Sequence, residues 1–372
     1  MGTVASLHLE APIVSSLSLP HGPLYAALKT AVDTHRAAHP SPPGAIVRKT
    51  VFILAWFVAS WVALVLLSQT WWQAGLSAIS LGLAMAGIGF DVQHDGGHRA
   101  ASSSQWVNSL LALGLDLLGG SSYVWHWKHN VHHHTNPNLV GHDSDIDIQP
   151  LVRLAPSQPW RPWHRLQHIY VWFLYALLAV KWHFVDDFVN VATGHISGVP
   201  FPRPRGKDLL TFIIGKVGFF AWALVIPLML HPGLHVLAGY LVASVTLSLA
   251  LAITFQAAHC VTEAEFPNPG GVKVEWAEHQ LRTSVDFGGA HPSWGWFLGG
   301  LDHQAIHHLF PRVPHVELAG LVPVVREVCR VHGVPYRELP GYAAAVASHA
   351  RHLLTMGRRP QTMTVSTAPA TA

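Results

Sequence analysis

The chain has 372 residues, half of them hydrophobic and only 12% charged, with 28 histidines and a formal net charge of +3. Soluble domains carry about a quarter charged residues, so the deficit points to lipid as the surrounding solvent, and so small a net charge supplies no field for nucleic acid. Its two cysteines, Cys260 and Cys329, exclude a four-cysteine zinc site and a disulfide framework.

In chain order, residues 1–47 show no basic start, apolar core and small-residue cleavage site of a secretory signal, and they form a cytoplasmic N-terminal segment with a Pro-rich linker at 40–44. Residues 51–90 contain no Asp, Glu, Lys or Arg. A span needs roughly 20 apolar residues, so this block predicts two spans, about 51–69 and 72–91, with the turn near Gln69-Thr70-Trp71-Trp72 and its tryptophans in the interface. Two apolar stretches follow, 107–118 and 169–180, each too short to cross and expected in the interface. A second uncharged block, 217–258, breaks at His231-Pro232-Gly233 and predicts spans at about 211–230 and 235–257, with Lys216 snorkelling near its start. Neither outer turn carries Lys or Arg, whereas Arg48, Lys49, Arg203, Arg205 and Lys207 flank the inner ends. The positive-inside rule then places both termini and the middle section in the cytoplasm of a multi-pass protein of the cell membrane. The Thr/Ala/Ser-rich end, 359–372, is expected to be a disordered tail. The expected fold is an all-α integral membrane protein: four transmembrane helices as two hairpins under a cytoplasmic helical cap, the main domain covering 48–358.

The histidines fall into clusters. His94-Asp95-Gly96-Gly97-His98 follows the second span, and an i, i+4 pair projects both imidazoles from one helix face. His126-Trp127-Lys128-His129-Asn130-Val131-His132-His133-His134-Thr135 offers two registers, His129/His132/His133 or His129/His133/His134, each pairing two imidazoles on a face and turning a third about 100° away. His303-Gln304-Ala305-Ile306-His307-His308 repeats the paired ending, and His259 stands where the last span emerges. With four spans every cluster lies on one side, which favours one assembled site over metal storage.

About eight imidazoles exceed what one tetrahedral zinc takes, so the count implies two metal ions. Imidazole suits zinc, copper, iron and nickel. HExxH is absent, as is the Glu and Glu-x-x-His set of soluble di-iron bundles. An all-nitrogen pair of irons beside a membrane is consistent with dioxygen activation against the C–H bonds of a lipid chain. Asp95, Asp143, Asp145, Asp147, Asp286 and Asp302 are candidate partners for imidazole N–H groups. A metal transporter would instead need ionisable residues along a path through the bilayer, and the two uncharged blocks supply none.

The three boxes, in this order around two hairpins, resemble those of the membrane fatty-acid desaturases. Leu117-Leu118-Gly119-Gly120-Ser121-Ser122-Tyr123-Val124-Trp125, Trp127-Lys128-His129-Asn130-Val131, Asp145-Ile146-Asp147-Ile148 and His308-Leu309-Phe310-Pro311-Arg312 are similar to the bacterial linoleoyl-CoA-type, front-end-like branch, over roughly 48–358. The resemblance implies two irons, dioxygen as co-substrate and a cis double bond placed in a fatty-acyl chain carried by CoA, a carrier protein or a lipid. It also implies an external electron donor such as ferredoxin with its reductase. Carried over position by position, the ligands are His94 and His98, His129, His133 and His134, His259, and His307 and His308. The second register follows because the family places Thr directly after its histidine pair. Three positions depart from the branch: Ile306 replaces a Glu, His303 an aromatic and His132 an aliphatic residue. His132, His303, Gln304 and Asp95 stand as further candidates at the site.

Overall fold

The structure, a computed structural model, describes residues 19–360 except 43, 269, 290 and 291. The part of the expected tail at 361–372, and Pro43 in the linker, therefore lie outside the described residues. Four helices are long and apolar enough to cross a membrane: Ala45–Leu67, Trp71–His98, Lys207–Leu230 and Gly233–His259. They overlap the expected spans but run further at their inner ends, so that the first histidine box completes the second span and His259 completes the fourth.

Both hairpin turns have local causes. Thr70 and Gln73 close a reciprocal capping box, Gln73 N donating to Thr70 Oγ1 and Thr70 N to Gln73 Oε1, which starts the second span. Pro232, which cannot continue a helix, starts the fourth. His231 Nε2 donates to Val65 O at 2.6 Å and ties one outer turn to the other hairpin. The second and fourth spans pack along each other. At their crossing a Cβ on Gly82 would lie 2.5 Å from Ala243 O, so only glycine permits the approach. Leu81, Met85, Leu247 and Leu251 fill the seam. The outward faces expose Phe52, Val58, Leu66, Ile214 and Val217, an arrangement suited to hydrocarbon.

Between the hairpins, Pro162–Ala176 and Leu178–Thr193 form a pair bent by 55°. Each half is shorter than a span. Histidines before and after this pair meet in one cluster, and the third and fourth spans cross and return between them. Four spans, with this pair on the cluster's side, keep those histidines together, which is the arrangement that the expected interfacial stretch requires. Lys216 does not snorkel: its ammonium is buried, donating to Gly119 O (2.6 Å) and Asp187 Oδ2 (2.7 Å). A carboxylate inside the helix layer outcompetes the interface for that charge, because a buried ammonium needs a hydrogen-bonded counter-ion. To the all-helical plan the structure adds one small hairpin, His195–Ile196 against Val199–Pro200, turned by Ser197 and Gly198 at positive φ.

The cap is built from both ends of the chain. Pro23–Ala38 packs Leu24, Leu28 and Val32 against Leu318, Leu321 and Val325 of His315–Val331. Glu275 holds the start of that first helix, accepting from Gly22 N and Tyr25 N at 2.8 Å each. The last helix, Tyr342–Gly357, lies along Gln167–Ala176, where Gln167 Nε2 donates to Leu353 O at 2.9 Å.

Candidate metal centre

The seven box histidines and His259 are all buried and meet in one cluster. The ligand-capable nitrogens of His94, His98, His129 and His307 lie within 4.8 Å of one another, as do those of His133, His259 and His308. His134 joins the groups: its Nε2 is 3.1 Å from His129 Nε2 and 3.2 Å from His307 Nε2, and its ring stacks on His308 with centroids 4.3 Å apart.

Local winding explains how a short segment serves two groups. His94–His98 is a single α-turn whose i, i+4 pair faces one way. The second box is not α-helical: His126–His133 winds as a π-helix, and His134 N donates to His129 O at 3.0 Å. The wider turn brings i and i+5 together, so His129 meets His134 while His133 points to the other group. Such π-turns concentrate at functional sites. In the third box Asp286 Oδ1 accepts from Ala305 N at 2.7 Å and anchors the start of Gln304–Leu309. Burial pushes the Asp286 carboxyl up to about 6, against the pull of His303 and the Tyr336 hydroxyl that donates to it.

The second group has its Nδ1 atoms fixed by the protein. His133 Nδ1 donates to Asp143 (3.1 Å to each oxygen), His259 Nδ1 to Thr283 O (3.0 Å) and His308 Nδ1 to Gln280 Oε1 (2.9 Å). Each bond sets a tautomer that leaves Nε2 as a lone-pair donor. Burial opposes charge on His133, but the Asp143 carboxylate outweighs it and raises the imidazole. Asp143 is held down to about 2: burial works against this, and His133 together with Asp145 N and Asn138 N overcomes it. Burial, then the neighbouring imidazoles, pushes His129, His134, His307 and His308 well below the ordinary imidazole value. Neutral imidazole is the ligating form.

The donor set fits metal. His94 Nε2, His98 Nε2 and His308 Nε2 are buried without a hydrogen-bond partner, a costly state that coordination relieves. Metal also resolves the close Nε2–Nε2 approaches, where neutral rings would set lone pairs against each other.

The open candidates separate clearly in space. Gln304 reaches the second group, its amide 3.1 Å from His259 Nε2, with Oε1 lacking a partner. His303 turns away, 3.9 Å from both Asp286 and Asp302. His132 is buried, lies outside both groups, and neither of its ring nitrogens has a partner. Asp95 serves no box imidazole; its Oδ2 accepts from His315 Nδ1 at 2.7 Å, and His315 Nε2 meets Lys49 Nζ at 2.9 Å. Asp145 pairs with Lys128 at 3.0 Å and lies near His133 at 3.6 Å.

Residue reading missed Gln280, His315 and Asn138. Asn138, at positive φ, donates through Nδ2 to His259 O, Glu265 O and Thr283 O and holds the end of the fourth span against the second box. Its signal was turn chemistry in Asn136-Pro137-Asn138. Gln280 carries no local signal.

A cavity of about 500 Å³ opens beside the second box. His129 and Trp125 lie at its inner wall, Leu115 and Phe255 along it, and Leu151 and Leu177 are exposed at its rim. Its size suits a small-molecule site; its walls are mixed, the apolar side chains suiting a hydrocarbon chain and Lys128, Lys181, Asp145, Asp147, Asp186 and Asp187 giving it a charged side.

Fold and site thus define an integral membrane protein that assembles two adjoining imidazole groups, able to hold metal, at one common end of its spans. The fatty acid desaturase family model matches residues 69–340. An sn-1 linoleoyl-lipid 6-desaturase of Arthrospira platensis is 35% identical, over 85% of this chain and 87% of that protein. One of the same description from a Synechocystis species is 32% identical, over 83% and 88%. An acyl-lipid (8-3)-desaturase of Physcomitrium patens is 34% identical, over 84% of this chain and 66% of its own length. The chain belongs to the fatty acid desaturase family, in its bacterial branch, and is an oxidoreductase that introduces double bonds into fatty-acyl chains.

Proposed function

We propose that the chain is an oxygen-dependent di-iron desaturase of lipid-linked acyl chains, with residues 48–358 as its catalytic domain. The observation that carries this is the convergence of eight buried imidazoles with unpartnered or mutually facing Nε2 atoms. His94, His98, His129 and His307 would hold one iron, and His133, His259 and His308, completed by Gln304, the other, with His134 between them. Bound iron supplies dioxygen activation strong enough to attack an unactivated C–H bond. The protein's own residues do the rest: Asp143, Thr283 and Gln280 orient imidazoles, and the cavity walls aim one pair of adjacent methylenes at His129 and exclude water. Two hydrogens leave those carbons, an external donor such as ferredoxin with its reductase supplies two electrons, solvent supplies two protons, and dioxygen departs as two waters.

A lipid-linked substrate is supported by the names of the relatives, and by a cavity whose rim lies among lipid-facing side chains. Placement in the cell membrane with both termini and the site cytoplasmic is supported by Arg48, Lys49, Arg203, Arg205 and Lys207 on the site side, and by outer turns without Lys or Arg.

The test is expression in a host without such activity, followed by mass-spectrometric profiling of its fatty acids. A new cis-unsaturated chain is expected and locates the double bond; a hydroxylated chain would replace this reading with a related lipid oxygenase.

A further inference from the structure

The helix pair between the hairpins begins on a surface that the desaturation reading does not use. Residues 149–181 contain no Asp or Glu, and neither do residues 339–360 that pack on them. Here Trp160 Nε1 donates to Gly357 O at 2.8 Å, which fixes the indole between two arginines from different elements. The Arg165 guanidinium lies 5.4 Å from the ring centroid and that of Arg359 6.0 Å. Arg161 and Arg358 flank them, and all four arginines are exposed. None of the four forms an ion pair among the described residues, whereas Arg36, Arg282, Arg326, Arg330 and Arg337 each pair with a glutamate. Gathered like charges with no counter-ion lower their energy by taking an anion.

The next turns set the depth of this surface. Trp163, Leu166, Ile169 and Phe173 occupy one face at helical spacing and are 48–68% exposed. The opposite face buries His164, Gln167, Val171 and Tyr175. A soluble helix has the reverse pattern. The apolar face belongs in acyl chains, which puts the arginines at headgroup depth. The same segment holds the rim of the cavity: Trp163 Nε1 and His164 Nε2 donate to Pro150 O (2.8 and 3.0 Å), and Tyr170 OH donates to Leu151 O. Gln149 and Leu151 line the cavity itself.

We propose that Arg161, Arg165, Arg358 and Arg359, gathered around Trp160, bind the phosphate of an anionic membrane lipid beside the cavity rim. Resting on the desaturase reading, the site also presents that lipid's acyl chain to the cavity. A phosphodiester in the headgroup plane is the occupant because the apolar face continues directly from the arginines.

The test uses the full chain in mild detergent with equimolar phosphatidylglycerol and phosphatidylcholine, the lipids retained after washing being counted by mass spectrometry. Each arginine near an anionic surface is worth about fivefold in binding. Wild type is expected to retain phosphatidylglycerol preferentially, R165Q/R359Q to lose that preference by roughly 25-fold, and R165K/R359K to keep most of it. R326Q, at a paired arginine, should change nothing. Equal retention of the two lipids by wild type, or unchanged preference in R165Q/R359Q, overturns the proposal. Displacement by inorganic phosphate at the same concentration overturns the lipid assignment. So does a double variant that keeps its lipid preference but loses reduction by its donor protein, which would make the surface a protein contact. Retention needs no turnover, so a chain that selects phosphatidylglycerol yet makes no unsaturated product contradicts the desaturase reading alone.

Discussion

The two halves of the imidazole cluster are held by different means. In the group His133, His259 and His308, every Nδ1 is bonded to a protein oxygen, so each ring is aimed before any metal arrives. In the group His94, His98, His129 and His307, the ring nitrogens have no hydrogen-bond partner among the described residues other than His134. Those rings are placed by the backbone (one α-turn at the end of a span, one π-turn and one short helix) and by packing on Trp125, which stacks on His129 and meets His94 and His98 edge-on. The first arrangement is fixed by hydrogen bonds, whereas the second has no hydrogen-bonded oxygen to hold its rings and relies more on the metal. The pinned group should therefore hold its metal more tightly, and the unpinned group should exchange first.

The strongest way to break this comparison is at the residue both halves share. His134→Ala should reduce product to background and lower metal content from two ions to at most one, while the protein still inserts, as elemental analysis of the membrane-purified chain will read. Asp143→Ala removes the acceptor for His133 Nδ1, and such partners are worth 10–100-fold in metal affinity. Competition with a graded chelator should show that loss in the tighter phase only. Gln280→Ala, which frees His308, should do the same at the lower end, roughly tenfold, and leave the weaker phase unmoved.

Acid sharpens the comparison further. His129, His134, His307 and His308 lie below the ordinary imidazole value, so protons compete poorly for them. Metal release on acidification should have its midpoint below pH ~6.5. The lowered Asp143 contributes stability above its unfolded value near 3.9 that is lost only as pH falls through about 2. The raised His133 contributes stability that is full below about pH 6.5 and is lost as pH rises through its folded value. The His133–Asp143 pair of the metal-free chain should therefore survive acid and loosen in alkali, a trend that thermal midpoints across pH will follow.

The smallest effect is expected outside both groups. His132→Leu removes two buried ring nitrogens that have no partner. Deleting an unsatisfied polar group is neutral or mildly stabilising, so turnover should stay within about twofold and the thermal midpoint should hold or rise. A large loss of metal in this variant would redraw the second group.

The spans and the three histidine clusters were legible in the sequence because their signals are local: uncharged runs, prolines at turns, and histidines at fixed short spacing; the set of eight, with His134 and the lone His259, came from the family resemblance. What stayed hidden is set by distant contacts. The π-winding of His126–His133 has no composition signature, so the i+5 meeting of His129 and His134 could not be read from spacing. Gln280 sits 28 residues from His308, and nothing in its neighbourhood marks it as a partner. Lys216 looked like a snorkelling residue because its buried counter-ion, Asp187, comes from another element. Which of His303 and Gln304 faces the imidazoles depends on a rotation at the start of one short helix. Asp286 anchors that helix, and it sends Gln304 inward and His303 toward carboxylates.

The central claim, two metal ions held by eight imidazoles, is tested most directly by the iron content of the full chain purified from iron-supplemented cells. The account predicts two irons per chain in the wild type, released by a chelator in two phases, of which Gln280→Ala weakens only the tighter. A wild-type chain that saturates at one ion, or that loads a different metal while making unsaturated product, would contradict it.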